Sequence, residues 1–368
     1  MSSEKALLST QDSAPASAGL QRAAEATRRR LNTGDHKPLV AIVGPTAVGK
    51  SEVGILVATA LGTEVLTADS RQVYRGMDIG TDKPGPEERQ GVPHRLIDLV
   101  EPDQPFNVGV YRRHALAEIE RLHRTGRIPL VVGGTGLYVR ALIRGLWAGP
   151  SADWNFRERL VGEAREKDAG YLHQALARVD PESANRLHPH DHVKIVRALE
   201  VHHLLGRPLS DAHRRHASAE ASYSPLLIGL IREREALYRR IEARVEAQLA
   251  KGLVRETQHL LEQGYGRHLG AMKGLGYRQM AGYLAGDYDD VEAVRRLKRD
   301  TRHFAKRQLT WFRKEPEITW LSIGEHESSE QVGARILERV TRFLSHLATG
   351  SAPETVVAEL AAAASAGG

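Results

Sequence analysis

The sequence predicts an α/β protein: a P-loop core on a mostly parallel sheet, interrupted by an inserted all-helical lobe. Three observations predict it. Gly44-Pro45-Thr46-Ala47-Val48-Gly49-Lys50-Ser51 fits the phosphate-loop pattern G-x-x-x-x-G-K-[ST], with an apolar run (39–43) before it and a helical stretch (52–61) after it. Short apolar runs recur at 64–70, 128–132 and 226–231 with helical stretches between them, as in a buried parallel sheet. Between 151 and 224 that alternation stops and the chain reads as helix.

Composition narrows the class. The chain has 368 residues, 41% hydrophobic and 27% charged, a formal charge of +6 and no cysteine. Disulfides, thiolate catalysis and cysteine zinc sites are thereby excluded. No apolar run is long enough to span a bilayer, and residues 1–36 lack a signal-peptide core. A cytoplasmic protein without a membrane partner is expected. The positive balance is compatible with a polyanionic partner. The expected organisation is a disordered arm at 1–36, a core at 37–150 and 225–348, a helical insertion at 151–224 and a disordered tail at 349–368.

Each element then has its own reason. Gly44 and Gly49 let the loop turn its N–H groups toward phosphate oxygens, and the following helix adds its positive end. Lys50 supplies a full charge, and Ser51 a hydroxyl for Mg²⁺. The plain alternative is a glycine turn before a helix. The run at 64–70 ends in Asp69, at the carboxyl end of a strand where α/β ligands sit. As a residue it is a metal ligand, a general base or a helix cap. Residues 76–84 read as a punctuated loop and 94–100 as a further strand. Asn107 caps a helix ending at Gly126. The strand at 128–132 ends in Gly133-Gly134-Thr135, where a nucleotide-hydrolysing P-loop protein has an acid for Mg²⁺. That departure argues against ordinary nucleotide hydrolysis.

In the insertion, Asp180-Pro181 starts one helix, and Asp191 caps another that ends at Gly206. His202 and His203 have no ligand-spaced partner and read as packing or surface residues. Arg240 and Arg244 share one helix face, open equally to pairing with Glu242 and Glu246 or to clamping phosphate. A long helix from Asp290 carries an apolar stripe beside Arg295, Arg299, Arg302 and Lys306, the footprint of a nucleic-acid backbone or a solvated basic face.

Taken together, these motifs resemble the tRNA dimethylallyltransferases, the isopentenyl transferases that modify an adenosine in tRNA. The resemblance runs from about residue 39 to 347. It rests on the P-loop, Ala68-Asp69-Ser70-Arg71-Gln72-Val73-Tyr74, Met77-Asp78-Ile79-Gly80-Thr81, His94-Arg95-Leu96-Ile97-Asp98, Gly133-Gly134-Thr135-Gly136-Leu137-Tyr138, Arg197-Ala198-Leu199-Glu200, Gly276-Tyr277-Arg278-Gln279 and Lys306-Arg307-Gln308-Leu309-Thr310-Trp311-Phe312-Arg313.

The resemblance implies a P-loop NTPase-like fold whose loop holds an isoprenoid diphosphate instead of ATP. It implies transfer of the dimethylallyl group of dimethylallyl diphosphate to N6 of the adenosine 3′ to the anticodon, with Mg²⁺ at Ser51. Asp69 matches the family's base, because an adenine amine needs its proton removed as the bond forms. Lys50, Thr135 and the cations Arg234, Arg240 and Arg244 would neutralise the leaving diphosphate. The anticodon stem-loop would be gripped by Asp69, Ser70, Arg71 and Gln72, by Thr135 and Arg157, and by Lys194 and Arg197. Gly276, Tyr277, Arg278 and Gln279 would join them, with Lys306, Arg307, Gln308, Trp311 and Arg313. The acceptor base must leave its stack to react. Val193-Lys194 stands where the family often has Gln-Arg. A monomer is expected.

Three other readings compete: a free-adenylate isopentenyl transferase, a small-molecule kinase and a non-catalytic RNA-binding protein. The helical insertion, the glycines at 133 and 134, and an intact Lys50, Ser51, Asp69 and Thr135 weigh against each in turn.

Overall fold

The computed structural model describes residues 37–147, 149–212 and 223–349. The expected disordered arm and most of the expected tail lie outside the described residues. The chain clusters into two compact units, which within the described residues are 37–143 with 223–349, and 144–212.

The first unit is built on six strands: β1 (Pro38–Val43), β2 (Val65–Ala68), β3 (His94–Arg95), β4 (Leu130–Gly133), β5 (Ser224–Arg232) and β6 (Ile318–Ile323), in the order β3-β2-β4-β1-β5-β6. Every pairing between them is parallel. Strand alternation sorts the core onto two faces. Val40 and Ile42 of β1 face α1 (Lys50–Leu61) and α12 (Ser329–Ala348), whereas Leu39, Ala41 and Val43 face α2 (Val108–Arg124) and α3 (Gly136–Ile143). β1 is therefore buried on both sides, as its unbroken apolar run requires. Its carboxyl end is the topological switch point, flanked by β4 on one side and β5 on the other.

The run expected as a strand at 94–100 pairs in the sheet only over His94–Arg95. Leu96 and Asp98 take left-handed backbone (φ 67° and 52°), which breaks the pleat. The amides of Asp98 and Leu99 turn instead to the carbonyls of Gln72 and Val73. Three further helices follow β5: α8 (Arg234–Lys251), α9 (Leu253–Glu262) and α10 (Tyr277–Leu284). The long helix α11 (Asp290–Phe312) comes next and is capped by Asp289. No helix among the described residues is long and apolar enough to cross a membrane.

The second unit holds α4 (Trp154–Arg165), α5 (Tyr171–Val179), α6 (Pro181–Arg186) and α7 (His192–Leu205). Asp180 caps α6, with Pro181 at its first position, and Asp191 caps α7. Asp180 is fully buried, with no cationic partner among the described residues. It accepts the amides and hydroxyls of both Ser183 and Ser210, at 2.7–3.0 Å. Burial pushes its carboxyl up, but these bonds outweigh burial and hold it below the ordinary carboxylate value.

Asp180→Asn turns an NH₂ group onto one of two backbone donors, so urea unfolding of this unit should lose about 3 kcal/mol. Because the folded-state value is depressed, the contribution of Asp180 is complete above the unfolded-state pKa of about 4 and disappears as pH falls through the folded value. A variant whose acid sensitivity matches the parent would remove Asp180 from this role.

Candidate active site

Three strand ends and one helix build the site. The P-loop leaves β1, Asp69 follows β2, Thr135 follows β4, and α11 crosses behind them with Gln308. They share a cavity of about 300 Å³, lined by Lys50, Ser51, Asp69, Thr135, Arg244 and Gln308 among others.

Lys50 Nζ donates to the Pro45 carbonyl at 2.6 Å. Burial strips water from the ammonium and Arg244 repels it, while Asp69 and Asp82 pull the other way. The balance lowers its pKa to about 8. Arg240 Nε donates to the Ala47 carbonyl at 2.9 Å, so the cation reaches the loop instead of pairing within its helix. Glu242 and Glu246, its alternative partners, are taken by Arg302 and Lys298 of α11. Arg232 Nε donates to the Val48 carbonyl at 3.1 Å, a contact the sequence reading missed. Arg244 Nη1 lies 3.1 Å from Asp82. Arg234, expected at the phosphate, has its guanidinium over the Tyr238 ring, 5.4 Å from the centroid, and is not among the residues that line the cavity.

Asp69 caps its own turn with one oxygen. Oδ1 accepts the Arg71 amide at 2.7 Å and the Gln72 amide at 3.4 Å. Oδ2 accepts no hydrogen bond among the described residues. Thr135 is tied to the end of β2 twice: its amide donates to Ala68 O at 3.1 Å, and its Oγ1 accepts from the Ser70 amide at 3.0 Å. The hydroxyl proton is left to donate elsewhere. The missing acid at the end of β4 has a steric cause. A Cβ at Gly133 would stand 2.2 Å from Ala68 O, and one at Gly134 would stand 2.3 Å from Gln308 Nε2.

Several residues expected at an RNA surface turn inward. Gln308 Oε1 accepts the Thr46 amide at 2.8 Å while its Nε2 donates to Gly134 O at 2.9 Å. Gln72 Nε2 donates to the carbonyls of Thr81 and Asp82. Tyr277 is buried, with its phenol donating to Glu256 at 2.6 Å. Gln279 caps α10 and donates to Asp300. Trp311 is half-buried beneath the Arg140 guanidinium. All five make contacts within the protein, but Gln72, Tyr277 and Gln308 also line the cavity, and Trp311 Nε1 is buried with no hydrogen-bond partner among the described residues. Arg71, Arg278 and Arg307 line the cavity as well, whereas Lys306 and Arg313 are exposed with no ion pair among the described residues. Arg295, Arg299 and Arg302 of the expected basic stripe pair with Glu292, Asp300 and Glu242. In the second unit, Arg157 and Arg197 both hold the buried Glu200, and Lys194 pairs with Asp191.

Fold and site define a P-loop α/β protein whose phosphate cradle faces a carboxylate across one cavity. The family model for IPP transferases matches residues 72–315. The chain is 50% identical over 301 residues to the tRNA dimethylallyltransferase of Pelotomaculum thermopropionicum, covering 82% of this chain and 95% of that one. It is 52% identical over 288 residues to the tRNA dimethylallyltransferase of Desulforudis audaxviator, covering 78% and 93%. The crystal structure of the full-length tRNA isopentenylpyrophosphate transferase from Bacillus halodurans superposes with a TM-score of 0.62 at 38% identity, covering 84% and 99%. A eukaryotic dimethylallyltransferase acting on tRNA gives 0.72 at 25% identity, covering 86% and 80%. The chain belongs to the IPP transferase family.

A lysine poised near pH 8 makes anion binding proton-linked. A diphosphate restores the full charge, so pyrophosphate binding just above pH 8 should take up protons and weaken as pH rises further. Calorimetry in two buffers of different ionisation enthalpy reads this directly. The uptake attributable to Lys50 should vanish in Lys50→Arg; identical proton balance in both proteins would refute the linkage.

Proposed function

We propose that this protein transfers the dimethylallyl group from dimethylallyl diphosphate to N6 of the adenosine 3′-adjacent to the anticodon in tRNA. The observation that carries the reading is a phosphate loop paired with a half-free carboxylate, Asp69, and with a strand end sterically closed to an acid. Such a site suits a leaving diphosphate and a nucleophile that must lose a proton. It does not suit water aimed at a γ-phosphate.

The bond from the allylic carbon to the diphosphate oxygen breaks, and the bond from that carbon to N6 forms. The N6 proton passes to Oδ2 of Asp69, held toward the cavity while Oδ1 is fixed by backbone amides. Lys50, the P-loop amides, Arg240 and Arg244 take up the charge of the departing diphosphate, and the Thr135 hydroxyl donates to it. The donor set fits Mg²⁺. Ser51 would offer its hydroxyl, in a cavity whose lining carboxylates, Asp69 and Asp82, add negative charge around the cation without needing to ligate it. Among the described residues no three acidic, histidine or cysteine side chains converge on a metal. A hard cation sharing substrate phosphate and water suits such a set, and it would supply charge neutralisation on the leaving group. The exposed Lys306 and Arg313 would meet the phosphates of the anticodon stem-loop, as would Arg71, Arg278 and Arg307 at the cavity. The protein acts as a cytoplasmic monomer in this reading, in keeping with its cysteine-free, basic composition.

The test is a transfer assay with labelled dimethylallyl diphosphate and Mg²⁺, offering unmodified tRNA in one reaction and AMP, ADP or ATP in others. Label at the adenosine beside the anticodon supports the reading; label in free nucleotide alone replaces it with a cytokinin-type activity. Asp69→Asn should slow transfer about 10²- to 10⁴-fold with pyrophosphate binding retained, and unchanged turnover would exclude it as the base. Lys306→Ala and Arg313→Ala should each weaken tRNA binding and reduce its salt slope by about one, leaving pyrophosphate affinity alone. Parallel loss of both affinities would count against that separation.

A further inference from the structure

The loop between β2 and β3 carries a carboxylate that the phosphate-loop pattern does not require. Asp82 lines the cavity with Lys50 and Arg244, and its Oδ2 lies 3.1 Å from Arg244 Nη1. Its backbone is left-handed, with φ 55°, uncommon for a residue other than glycine.

The surrounding structure enforces that conformation from several sides. Gln72 Nε2 donates to the carbonyls of Thr81 and Asp82, at 3.1 Å each. Gln248, one turn along α8 from Arg244, donates to Ile79 O at 3.0 Å. The Glu256 carboxylate accepts the amides of Asp78, Ile79 and Gly80 at 2.9–3.1 Å. The next residue, Lys83, is buried against Asp78, Asp98 and the Tyr74 carbonyl. A loop tied this firmly holds Asp82 in place beside the cradle.

The placement matters because the cradle concentrates cations. Lys50 faces Arg244 from α8, Asp82 from this loop and Asp69 from the end of β2. Asp82 also feels Lys251, itself paired with Glu88. Lys50 repels Arg244, and Asp82 is the carboxylate in contact with it. A guanidinium has five N–H donors, so one carboxylate can hold it and still leave donors for phosphate oxygens. We propose that Asp82 is a positioning residue: its carboxylate holds Arg244 beside the P-loop lysine in the pose that receives the substrate's diphosphate. The inference rests on the proposed transfer reaction only in naming a prenyl diphosphate as that substrate.

The experiment uses the full-length protein and inorganic pyrophosphate with Mg²⁺ as the probe, read by calorimetry. Asp82→Asn removes the charge and keeps a residue that tolerates left-handed backbone; Asp82→Gly is the second variant. Both should bind roughly tenfold more weakly. In an Arg244→Gln background the Asp82→Asn change should add little. Unchanged or tighter binding would overturn the proposal, since Asp82 would then be idle or would repel the ligand. So would an equal loss in both backgrounds, which marks a general disturbance of the loop. If the pattern holds and the protein transfers no prenyl group to tRNA, the transfer reading fails while the positioning of Arg244 stands.

Discussion

The site depends on how closely β2 and β4 end side by side. Ala68 O is met by the Thr135 amide at 3.1 Å, and a side chain at Gly133 would collide with that same carbonyl. No side chain fits at Gly133, the last residue of β4. The acid of the site therefore belongs to β2, as Asp69, and the turn after β4 contributes a hydroxyl. A steric fact about two backbones thus decides which chemical groups face the phosphate loop. The same proximity fixes Thr135, whose Oγ1 is committed as an acceptor to Ser70 and whose proton remains for a ligand.

Charge is arranged around that frame in two layers. Arg232 and Arg240 clasp the loop through the carbonyls of Val48 and Ala47. Lys50 and Arg244 stand inside, close enough to disfavour one another, with Asp69 and Asp82 as the opposing charges. A cavity of this kind is prepared for a polyanion and is electrostatically uncomfortable without one.

Much of this was legible in the sequence, for a physical reason. A loop that must present backbone amides to phosphate needs its glycines and lysine at fixed spacing, so the P-loop announces itself. Caps are equally local: Asn107, Asp180 and Asp191 each cap the helix their spacing indicates. Long-range placement left no such mark. Arg232 reads as the last residue of a strand, and only the neighbouring loop makes it a clasp. Arg234 has the same charge two residues later and belongs to a tyrosine ring instead. The run at 94–100 has strand composition, yet Asp98 leaves the pleat, its amide bound to Gln72 O and its carboxylate to Lys83. Tyr277 and Gln279 look like a recognition loop, whereas Glu256 and Asp300 hold them inside. Family resemblance marks which residues are constrained; it does not say whether a ligand or a neighbour constrains them.

Gln308 has a mechanical consequence. One side-chain amide joins the phosphate loop at Thr46 to the turn after β4 at Gly134, and it projects from the helix that also exposes Lys306 and Arg313. The two loops cannot part without leaving a buried amide half-paired, at a cost of about 1–3 kcal/mol. They are coupled as the jaws of a single clamp, with α11 as its spine. Removing that one side-chain amide would free both jaws at once.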